Sequence, residues 1–507
     1  MDAPCRALRQ KNTLGSSTRL KIKKLFFVGL FHDLFALPMI AFIPLMKWQV
    51  FVNSEPNLTE MMAVNGDQQI FKNYLLPNIT LAEMLEQFLD SHQIQSVEKI
   101  TIANGWVQKI LKQELGSRPV FISTLGFENW PDMNLPILHP QANLKAQRVR
   151  SALKHDYVFG VNEKTNSAGE IQRAVDADEV SHIIAKIQLL DKKNVAIGVL
   201  NSHLNGQNEA ELKNQVIQAG LRAFCCESHY ADLPIENHRW WNAILNAFIY
   251  PFMEEVLMGL DRLAEKLQCH QIKIGQSHDE YKNWNEEQYL GSALFHHRLL
   301  QNLANESQNV LLYFGLEEIL LANVDSTSHN VWNSPKGPVY NEHPNLHTFP
   351  IAPNQVIFPN QWETLGFGYD VVDYKPGPMC MGRGQKLCFL DVVFYLNQFH
   401  DSKLLKDRAD EKTLSRIEEY LFAIGKVSQD PNPPSPGEMA RMLLDGFLKT
   451  LSLPIVEAKK VLICGPLADL FFPLLKKHTS FAEIVKMEWD SIVIEQMKKD
   501  VNRANSI

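Results

Sequence analysis

The strongest constraint on the fold is an alternation of short apolar segments with amphipathic segments. Between residues 81 and 124 the pattern predicts a helix, a strand, a helix and a strand, at Leu81–Asp90, Val97–Ala103, Val107–Leu115 and Pro119–Thr124. The helices carry apolar residues at intervals of three and four, whereas the strands are short apolar runs. Because strands and helices that alternate along a chain build α/β layers, we expect an α/β fold.

The same alternation continues towards the end of the chain. We expect further helices at Asp178–Leu190, Glu209–Ala219, Trp240–Leu267, Met439–Leu451 and Leu467–Lys477, and strands at Val195–Leu200 and Val461–Cys464. Residues 129–150 and 322–350 are predicted to be irregular, and Asp430–Gly437 to be a loop whose prolines exclude a helix.

The composition is that of a globular protein with more than one domain. Of the 507 residues, 45% are hydrophobic and 21% are charged, so we expect two or three domains. The net charge of -7 argues against a general nucleic-acid binder. The seven cysteines are scattered and form no Cys-x-x-Cys pair, which indicates neither a disulfide framework nor a zinc site. A cytoplasmic location is the simplest interpretation, and no metal ligands are assigned.

The apolar run from Leu25 to Phe51 allows two interpretations. It follows a basic segment, residues 1–24, as a membrane anchor would. However, it contains His32, Asp33 and two prolines, which are costly in lipid. We favour two antiparallel strands in an α/β domain, with His32-Asp33 at the turn, after a flexible N-terminus. Contact with a membrane is not expected.

A loop rich in glycine and proline precedes the apolar run at residues 387–390. Its sequence is Pro376-Gly377-Pro378-Met379-Cys380-Met381-Gly382-Arg383-Gly384, and Asp391 follows shortly afterwards. Glycine tolerates positive φ, so we expect Gly377, Gly382 and Gly384 to adopt conformations closed to other residues. Asp391 is expected to lie within hydrogen-bond reach of the loop's amides. The plainer interpretation is that Asp391 caps the next helix.

This loop resembles the PGPxCYGRGG…TDA signature of the hydantoinase A/5-oxoprolinase family, in which Met381, Gln385 and Val392 replace a tyrosine, a glycine and an alanine. Other segments resemble the family's motifs in the same order along residues 25–480, as in a divergent, C-terminally shortened member. They are Gly116–Phe127 (GAR…ALLTTxGF), Val161–Lys164 with Gly169-Glu170 (VxER…GE), and Val195–Glu209 (VxLLHSYxNPxHE), which keeps Ser202, Asn205 and Glu209.

The resemblance implies two ribonuclease-H-like domains, as in the actin/sugar-kinase/heat-shock-type ATPases, around an interdomain cleft. On this basis the chain divides into an N-terminus (1–24), an N-terminal-like α/β domain (25–235), a hydantoinase A-like domain (236–480) and a C-terminal tail (481–507). Members of the family open cyclic amides such as hydantoins and 5-oxoproline with ATP, and relatives carboxylate ketones. ATP and Mg²⁺ are therefore implied by the resemblance alone.

The resemblance also implies where a nucleotide would lie. The first phosphate loop, DxGGTFTD, falls on Phe26–Asp33, and the HGTT turn falls on Asn104–Val107. The second phosphate loop, DMGGTSTD, falls on Tyr313–Glu318, and the adenosine loop, GGAGPLHA, falls on Cys464–Ala468. The implied nucleotide-binding residues are Gly29, Asp33, Gly105, Gly315 and Gly465. The implied loop residues near the site are Pro376, Gly377, Pro378, Cys380, Gly382, Arg383, Gly384 and Asp391.

These loops depart from the family pattern where phosphate would be bound. Phe26 replaces the leading aspartate, Val28 and Leu30 add bulk, and Glu317-Glu318 place negative charge where the family has hydroxyls. We therefore predict that ATP·Mg²⁺ binds weakly or not at all and that ATP hydrolysis is lost.

Two hypotheses for the function remain. The first is an ATP-dependent cyclic-amide hydrolase or carboxylase subunit with a diverged nucleotide site. The second is a non-catalytic relative, a binding or scaffold subunit that uses the cleft. A small-molecule substrate, a partner subunit or a homo-oligomer is compatible with either hypothesis. No catalytic residue is assigned.

Two other groupings of reactive residues have plainer interpretations. Cys225-Cys226-Glu227-Ser228-His229 could supply a thiol nucleophile and a base, but small core residues at the end of a strand explain the cysteines as well. His296-His297, with His278 and Asp279, could bind a metal. Adjacent helical residues point to different sides, however, which favours a surface helix.

Overall fold

The computed structural model describes residues 47–504, with internal gaps. The gaps are residues 57, 76–78, 114, 134–136, 139–146, 149–150, 227–234, 270, 277–280, 287, 317, 323–329, 335–336, 343–345, 351–378, 382–386, 399–410, 428–430, 451–459, 479–482 and 488–490.

The described residues contain 21 strands. They are β1 (Trp48–Ser54), β2 (Leu58–Asn65), β3 (Gln68–Leu75), β4 (Val97–Asn104), β5 (Val120–Thr124), β6 (Ile137–Leu138), β7 (Gln147–Arg148), β8 (Val158–Val161), β9 (Lys164–Thr165), β10 (Ile171–Arg173), β11 (Asn194–Gly198), β12 (Arg222–Phe224), β13 (Ile272–Gly275), β14 (Tyr281–Asn283), β15 (Val310–Phe314), β16 (Glu318–Ala322), β17 (Asn330–Ser334), β18 (Gly337–Glu342), β19 (Leu346–Pro350), β20 (Val461–Cys464) and β21 (Ile484–Lys486).

The α-helices alternate with these strands, so the predicted α/β class is confirmed. They are α1 (Leu81–Ser91), α2 (Trp106–Gln113), α3 (Trp130–Met133), α4 (Ala177–Leu189), α5 (Gln207–Gln218), α6 (Glu236–Val256), α7 (Leu260–Leu267), α8 (Phe295–Ser307), α9 (Phe389–Gln398), α10 (Glu411–Val427), α11 (Pro436–Thr450), α12 (Ala468–His478) and α13 (Ile492–Ala504).

No single helix in the described ranges is both long and apolar enough to cross a membrane. The bent pair α6 and α7, whose axes differ by 55°, meets the criteria of length and composition only when the two are taken together.

Two of the larger sheets repeat one strand order. Sheet I has the order β14-β13-β4-β1-β2-β3, and sheet II has the order β19-β16-β15-β20-β21. In sheet I, β1 pairs antiparallel with β2 on one side and parallel with β4 on the other. In sheet II, β15 pairs antiparallel with β16 and parallel with β20 in the same way. The series β3-β2-β1-β4-β13 therefore corresponds to β19-β16-β15-β20-β21. Because β13 and β14 follow residue 236, sheet I crosses the expected division at that position.

Sheet III consists of four parallel strands in the order β12-β11-β5-β8. Its core is formed by apolar residues such as Ile122, Val180, Val195 and Leu212, which come from its strands and from α4 and α5. Helix α6 packs against β11, where a Cβ at Gly198 would lie 2.5 Å from the Trp240 ring. Glycine at this position therefore allows the close approach of helix and sheet.

A buried core joins sheets I and II. It contains Phe51 from sheet I, Leu311 from sheet II, Leu300 from α8 and Met497 from α13, and these side chains are almost inaccessible to solvent. Burial of such residues stabilises a fold by roughly 1.5–3 kcal/mol per side chain. The two sheets and the two helices are thus held together by shared apolar packing.

The prediction of one continuous helix over Trp240–Leu267 is wrong, because the segment forms two helices. The first begins at Glu236, and Gly259, at φ 89°, separates α6 from α7. A positive φ suits glycine, and a Cβ at this position would lie 3.2 Å from the Ala82 side chain. The apolar pattern continues through the break because both helices face the same core.

Three segments expected to be irregular contain regular structure. Residues 322–350 include β17, β18 and β19, and β19 pairs with β16 in sheet II. Residues 129–150 include α3 and the paired strands β6 and β7. Helix α11 begins at Pro436, inside the expected loop, because Ser435 and Glu438 cap it reciprocally and proline is tolerated in a first turn.

The segment expected to be a C-terminal tail is part of the core in its described portion. It contains β21, which pairs parallel with β20, and α13, whose Ile494 and Met497 are fully buried. Of the predicted strand pair at residues 25–51, only the start of β1 is described. The antiparallel partner of β1 is β2, which follows it in the chain.

Candidate functional site

The carboxyl ends of the parallel strands of sheets I and II meet at one place. Sheet I contributes Glu55 after β1, Gly105 after β4 and Gln276 after β13, and sheet II contributes Gly315 after β15 and Gly465 after β20. Ligands of α/β sheets usually bind at this edge. We call this region the cleft, after the interdomain cleft that the resemblance implies, and its polar side chains are buried. It comprises Asn53, Glu55, Glu60, Asn104, Gly105, Gln276, His296, Tyr313, Gly315, Gly465 and Ser491.

A hydrogen bond crosses from one sheet to the other in the cleft. The Tyr313 hydroxyl, at the end of β15, donates to Glu55 Oε1 at 3.3 Å. Asn53 Nδ2 donates to the same oxygen at 3.3 Å, and His296 Nε2 lies 3.5 Å from it. Glu55 is 7% exposed, so its carboxylate is held among protein donors rather than in water.

Glycine at position 105 fits against Glu55. Its amide donates to the Ser54 carbonyl at 2.9 Å, and a Cβ there would lie 3.1 Å from Glu55 Cγ. The predicted turn at Asn104–Val107 therefore packs directly on the β1–β2 turn. The side chain of Asn104 is buried and donates to Ser292 Oγ at 3.3 Å.

Glu60 is a second buried carboxyl group in the cleft. It accepts hydrogen bonds from Asn53 Nδ2 at 2.9 Å and from the Ser491 hydroxyl at 2.8 Å. Burial raises the pKa of Glu60 to about 7, against the opposing effect of these two hydrogen bonds. The group is therefore close to half-protonated at neutral pH.

On the sheet II side, Gly465 has φ 99°, and a Cβ there would lie 2.6 Å from the Phe314 carbonyl oxygen. The Leu467 amide donates to that carbonyl at 3.1 Å. The turn after β20 thus rests on the end of β15, next to Gly315. The structure brings Gly105, Gly315 and Gly465 to the cleft, whereas Gly29 and Asp33 lie outside the described residues.

The expectation that His296 and His297 lie on a surface helix is wrong. Both are buried in α8, and the His296 ring stacks edge-on to Tyr313 with centroids 5.1 Å apart. His297 Nε2 lies 3.0 Å from Gln108 Nε2. The histidines are buried because α8 packs between sheets I and II, which a local pattern cannot reveal. Their suggested companions His278 and Asp279 lie outside the described residues, and the described residues contain no cluster of metal-ligating side chains.

The predicted hydrogen bonds of Asp391 are confirmed. This carboxyl is fully buried and accepts from the Cys380 amide at 2.8 Å and from the Cys388 amide at 2.9 Å. Burial raises the pKa of Asp391, while these backbone donors act in the opposite direction. Since Cys388 immediately precedes α9, Asp391 both caps that helix and fixes the Cys380 segment. Pro376, Gly377, Pro378, Gly382, Arg383 and Gly384 lie outside the described residues.

Cys225 does not have the environment of a nucleophile. Burial raises the pKa of its thiol well above the ordinary value, and the neighbouring Glu209 acts in the same direction. The thiolate is therefore disfavoured, and the half-buried Cys225 packs against the core of sheet III. Residues 227–234, which include His229, are not described.

Sequence reasoning missed a second polar cluster, although several of its members lie in the motifs quoted above. We call it the sheet III edge, and it comprises Thr124, Glu163, Asn201, Ser202, His203, Asn208, Glu209, Glu236 and Arg239. Arg239 is 3% exposed and bonded to Glu236 and Ser202. The sequence signal that could have found it is Arg239 at the start of a long apolar helix. A charge that such a helix buries requires polar partners.

No family model matches the sequence, and no curated protein matches it. Two solved structures are similar over most of the chain. One is a nucleotide-free acetone carboxylase, from work on ATP-dependent acetone carboxylation, with a TM-score of 0.66 and 13% identity, covering 88% of this chain and 69% of that chain. The other is the ATP-dependent caprolactamase from Pseudomonas jessenii, with a TM-score of 0.60 and 15% identity, covering 88% of this chain and 70% of that chain. At these identities the likeness shows the fold alone.

Proposed function

We propose that this protein is a hydantoinase/oxoprolinase-type protein that keeps the family's two-sheet framework but does not hold ATP in the cleft, and that it acts as a binding or scaffold subunit. The proposed membership of the family is supported by the collinear motifs, by the repeated strand order of sheets I and II, and by the two similar structures. The observation that carries the loss of ATP binding is the position of the Glu55 carboxylate.

The repeated strand order indicates which turns correspond. The β1–β2 turn of sheet I is the counterpart of the β15–β16 turn of sheet II, which holds the implied second phosphate loop. We therefore assign the DxGGTFTD pattern to Asn53–Glu60 rather than to Phe26–Asp33, which precedes β1. In this assignment Asn53 replaces the leading aspartate, and Glu55 and Pro56 replace the two glycines.

These residues do not fit a magnesium triphosphate. The turn has lost one amide donor at Pro56, and each lost hydrogen bond to a charged group removes roughly 1.5–3 kcal/mol. The Glu55 carboxylate adds like charge, and two unit charges 4 Å apart repel by about 4 kcal/mol at an effective dielectric constant of about 20. Asn53 and Tyr313, at the positions of the family's leading aspartates, are neutral and already donate to Glu55. We derive no reaction step that uses ATP.

Calorimetric titration with ATP·Mg²⁺ tests this proposal. We expect no binding at micromolar ATP, either to the wild-type protein or to the Gly315→Arg variant. An exposed substitution, Glu265→Gln, serves as the matched control. Binding in the low micromolar range that Gly315→Arg abolishes would overturn the proposal.

The second candidate is an ATP-dependent cyclic-amide hydrolase or carboxylase subunit. It is favoured by the activities named for the two similar structures and by the buried Gln276, whose amide has no hydrogen-bond partner among the described residues. Phosphate release from ATP that depends on added hydantoin or 5-oxoproline would support this candidate. We expect no such release.

A further inference from the structure

The last strand of sheet III, β8, has one unpaired side. In the order β12-β11-β5-β8 it pairs with β5, and no other strand in the described part of the chain lies against its outer side. The Val161 carbonyl accepts from the Leu125 amide at 2.9 Å, on the β5 side. Successive residues of a strand direct their amide and carbonyl groups to opposite sides. Gly160 therefore directs both of its groups outward, and the Val158 carbonyl points the same way.

The protein's own groups occupy the two ends of this outer side. The Val158 amide donates to the His155 carbonyl in a turn that precedes β8. The Asn162 amide, just after β8, donates to Glu179 Oε2 at 3.1 Å. Between these ends, the Gly160 amide, the Gly160 carbonyl and the Val158 carbonyl have no hydrogen-bond partner among the described residues. An added strand could therefore form three main-chain hydrogen bonds here.

Side chains wall this outer side on both faces of the sheet. On one face, a Cβ at Gly160 would collide with Glu128 Oε1, so that carboxylate lies over the glycine. The side chain of the next residue, Val161, faces the other way and shares a core with Ile183 of α4. A pocket of about 630 Å³ lies between the two walls, a size typical of binding sites. We call it the β8 slot, defined by Glu128, Val158, Gly160, Glu179, Ile183 and Lys186.

The charges of the β8 slot are ordered along the strand. Helix α4 lies between the parallel strands β8 and β11 in the chain, so it runs roughly antiparallel to both. Glu179 reaches Asn162 at the carboxyl end of β8. Lys186 comes seven residues later, about 10 Å along the helix, and so lies towards the amino end. Neither Glu128 nor Lys186 has an ion-pair partner among the described residues, so both charges are available to a ligand.

We propose that the β8 slot binds an extended segment of a partner protein, which joins sheet III as a strand antiparallel to β8. One residue of the segment exchanges two hydrogen bonds with Gly160, and the residue two positions later donates to the Val158 carbonyl. Peptides that add to a sheet edge in this way gain affinity from main-chain bonds and specificity from alternate side chains. The slot is separate from the cleft, so the inference does not depend on the proposed loss of ATP binding.

The walls of the slot define the chemistry of the segment. Directly opposed residues of antiparallel strands face the same side, so the residue opposite Gly160 faces Glu128 and is a lysine or an arginine. The next residue faces Ile183 and is apolar. The residue three positions after the basic one faces α4 at its basic end, where an aspartate or a glutamate meets Lys186. The partner segment is therefore basic first, then apolar, then acidic.

Saturation-transfer NMR with the peptide acetyl-Thr-Lys-Val-Val-Glu-Thr-amide tests the proposal on the full chain. We expect titratable binding to the wild-type protein. Methylation of the amide nitrogen of the fourth residue, which donates to the Val158 carbonyl, should weaken binding by roughly tenfold or more, because a hydrogen bond is lost and the methyl group meets the strand. Methylation of the third residue, whose amide points away from β8, is the matched control and should weaken binding by less than about threefold.

A charge variant tests the other wall of the slot. Lys186→Glu, on the exposed side of α4, should fold and weaken the peptide by roughly threefold to tenfold, because an ion pair becomes a repulsion. A peptide with lysine in place of its glutamate should recover that loss. Arg262→Glu, at an exposed position of α7, should leave binding unchanged.

Four outcomes would overturn the proposal. They are no binding of the peptide to the wild-type protein, equal binding of the two methylated peptides, and equal affinity of the peptide for Lys186→Glu and the wild type. The fourth is a wild-type dimer in size-exclusion chromatography that Lys186→Glu dissociates, since a second copy of this chain would then occupy the slot.

Discussion

The cleft and the sheet III edge are both polar clusters at the carboxyl ends of parallel strands, but their hydrogen bonds are used differently. In the cleft, the Glu55 and Glu60 carboxyls accept from Asn53, Tyr313 and Ser491 of the same chain. At the sheet III edge, the central group is instead the Arg239 guanidinium, which donates to Glu236 and to Ser202. Equivalent positions in α/β sheets can therefore be organised around buried carboxyl groups or around a buried guanidinium group.

The two regions also differ in how closely they follow the family's motifs. Around the cleft, Asn53, Glu55 and Tyr313 stand where the resemblance would require acidic or small residues. At the sheet III edge, Thr124, Glu163, Ser202 and Glu209 agree with the motifs quoted for the family. By our proposal, phosphate binding has been lost in the first region, whereas the second region keeps the residues of the motifs.

Arg239→Met should have the largest effect on stability, because it leaves the buried Glu236 carboxylate without its cation. Removing one partner of a buried ion pair costs about 3–5 kcal/mol. We expect a loss of that size in the free energy of unfolding, measured by urea denaturation. Arg262→Met, at an exposed position, should change it by less than about 0.5 kcal/mol. The double variant Glu236→Gln/Arg239→Met should recover much of the loss. A loss below about 1 kcal/mol for Arg239→Met would contradict the ion-pair network.

Glu60→Gln tests whether the cleft is closed around a titrating carboxyl group. The pKa of Glu60 is raised from 4.5 to about 7 in the folded protein. The folded state therefore binds the proton more tightly, and the stability that this provides is complete below pH 4.5 and is lost as the pH rises through 7. The neutral glutamine avoids that loss, so the variant should be more stable than the wild type by roughly 1–3 kcal/mol at pH 8.

The difference in the free energy of unfolding between Glu60→Gln and the wild type should shrink towards pH 5. Urea denaturation at a series of pH values measures it, with Glu265→Gln as an exposed control whose effect should not vary in this way. Equal free energies of unfolding for Glu60→Gln and the wild type at pH 8 would show that ionisation of the Glu60 carboxyl does not destabilise the folded protein.

Tyr313→Phe should have the smallest effect, since it removes one hydroxyl from the bond across the cleft and keeps the ring. A single hydrogen bond contributes about 0.5–1.5 kcal/mol, and we expect a loss within this range. Thermal unfolding measures it. A larger loss would mean that the bond between Tyr313 and Glu55 supports the cleft more than a 3.3 Å contact suggests.

Elements whose pattern is local can be predicted from the residues alone. The helices and strands expected between residues 81 and 124 are confirmed to within two residues at each end. Asp391 was also identified correctly, because it and the amides of Cys380 and Cys388 lie only 11 and 3 residues apart. Over such short separations, apolar periodicity and capping chemistry restrict the chain to few conformations.

Which residues come together in the sites depends on the fold in three dimensions. Glu55 meets Tyr313 across 258 residues, Glu60 meets Ser491 across 431, and Arg239 meets Ser202 across 37. These pairs depend on which strands become neighbours and on where two sheets share a core, and periodicity along the chain specifies neither. The burial of His296 and the placement of Glu55 in the β1–β2 turn follow from the same cause, since each side chain is surrounded by residues distant in sequence.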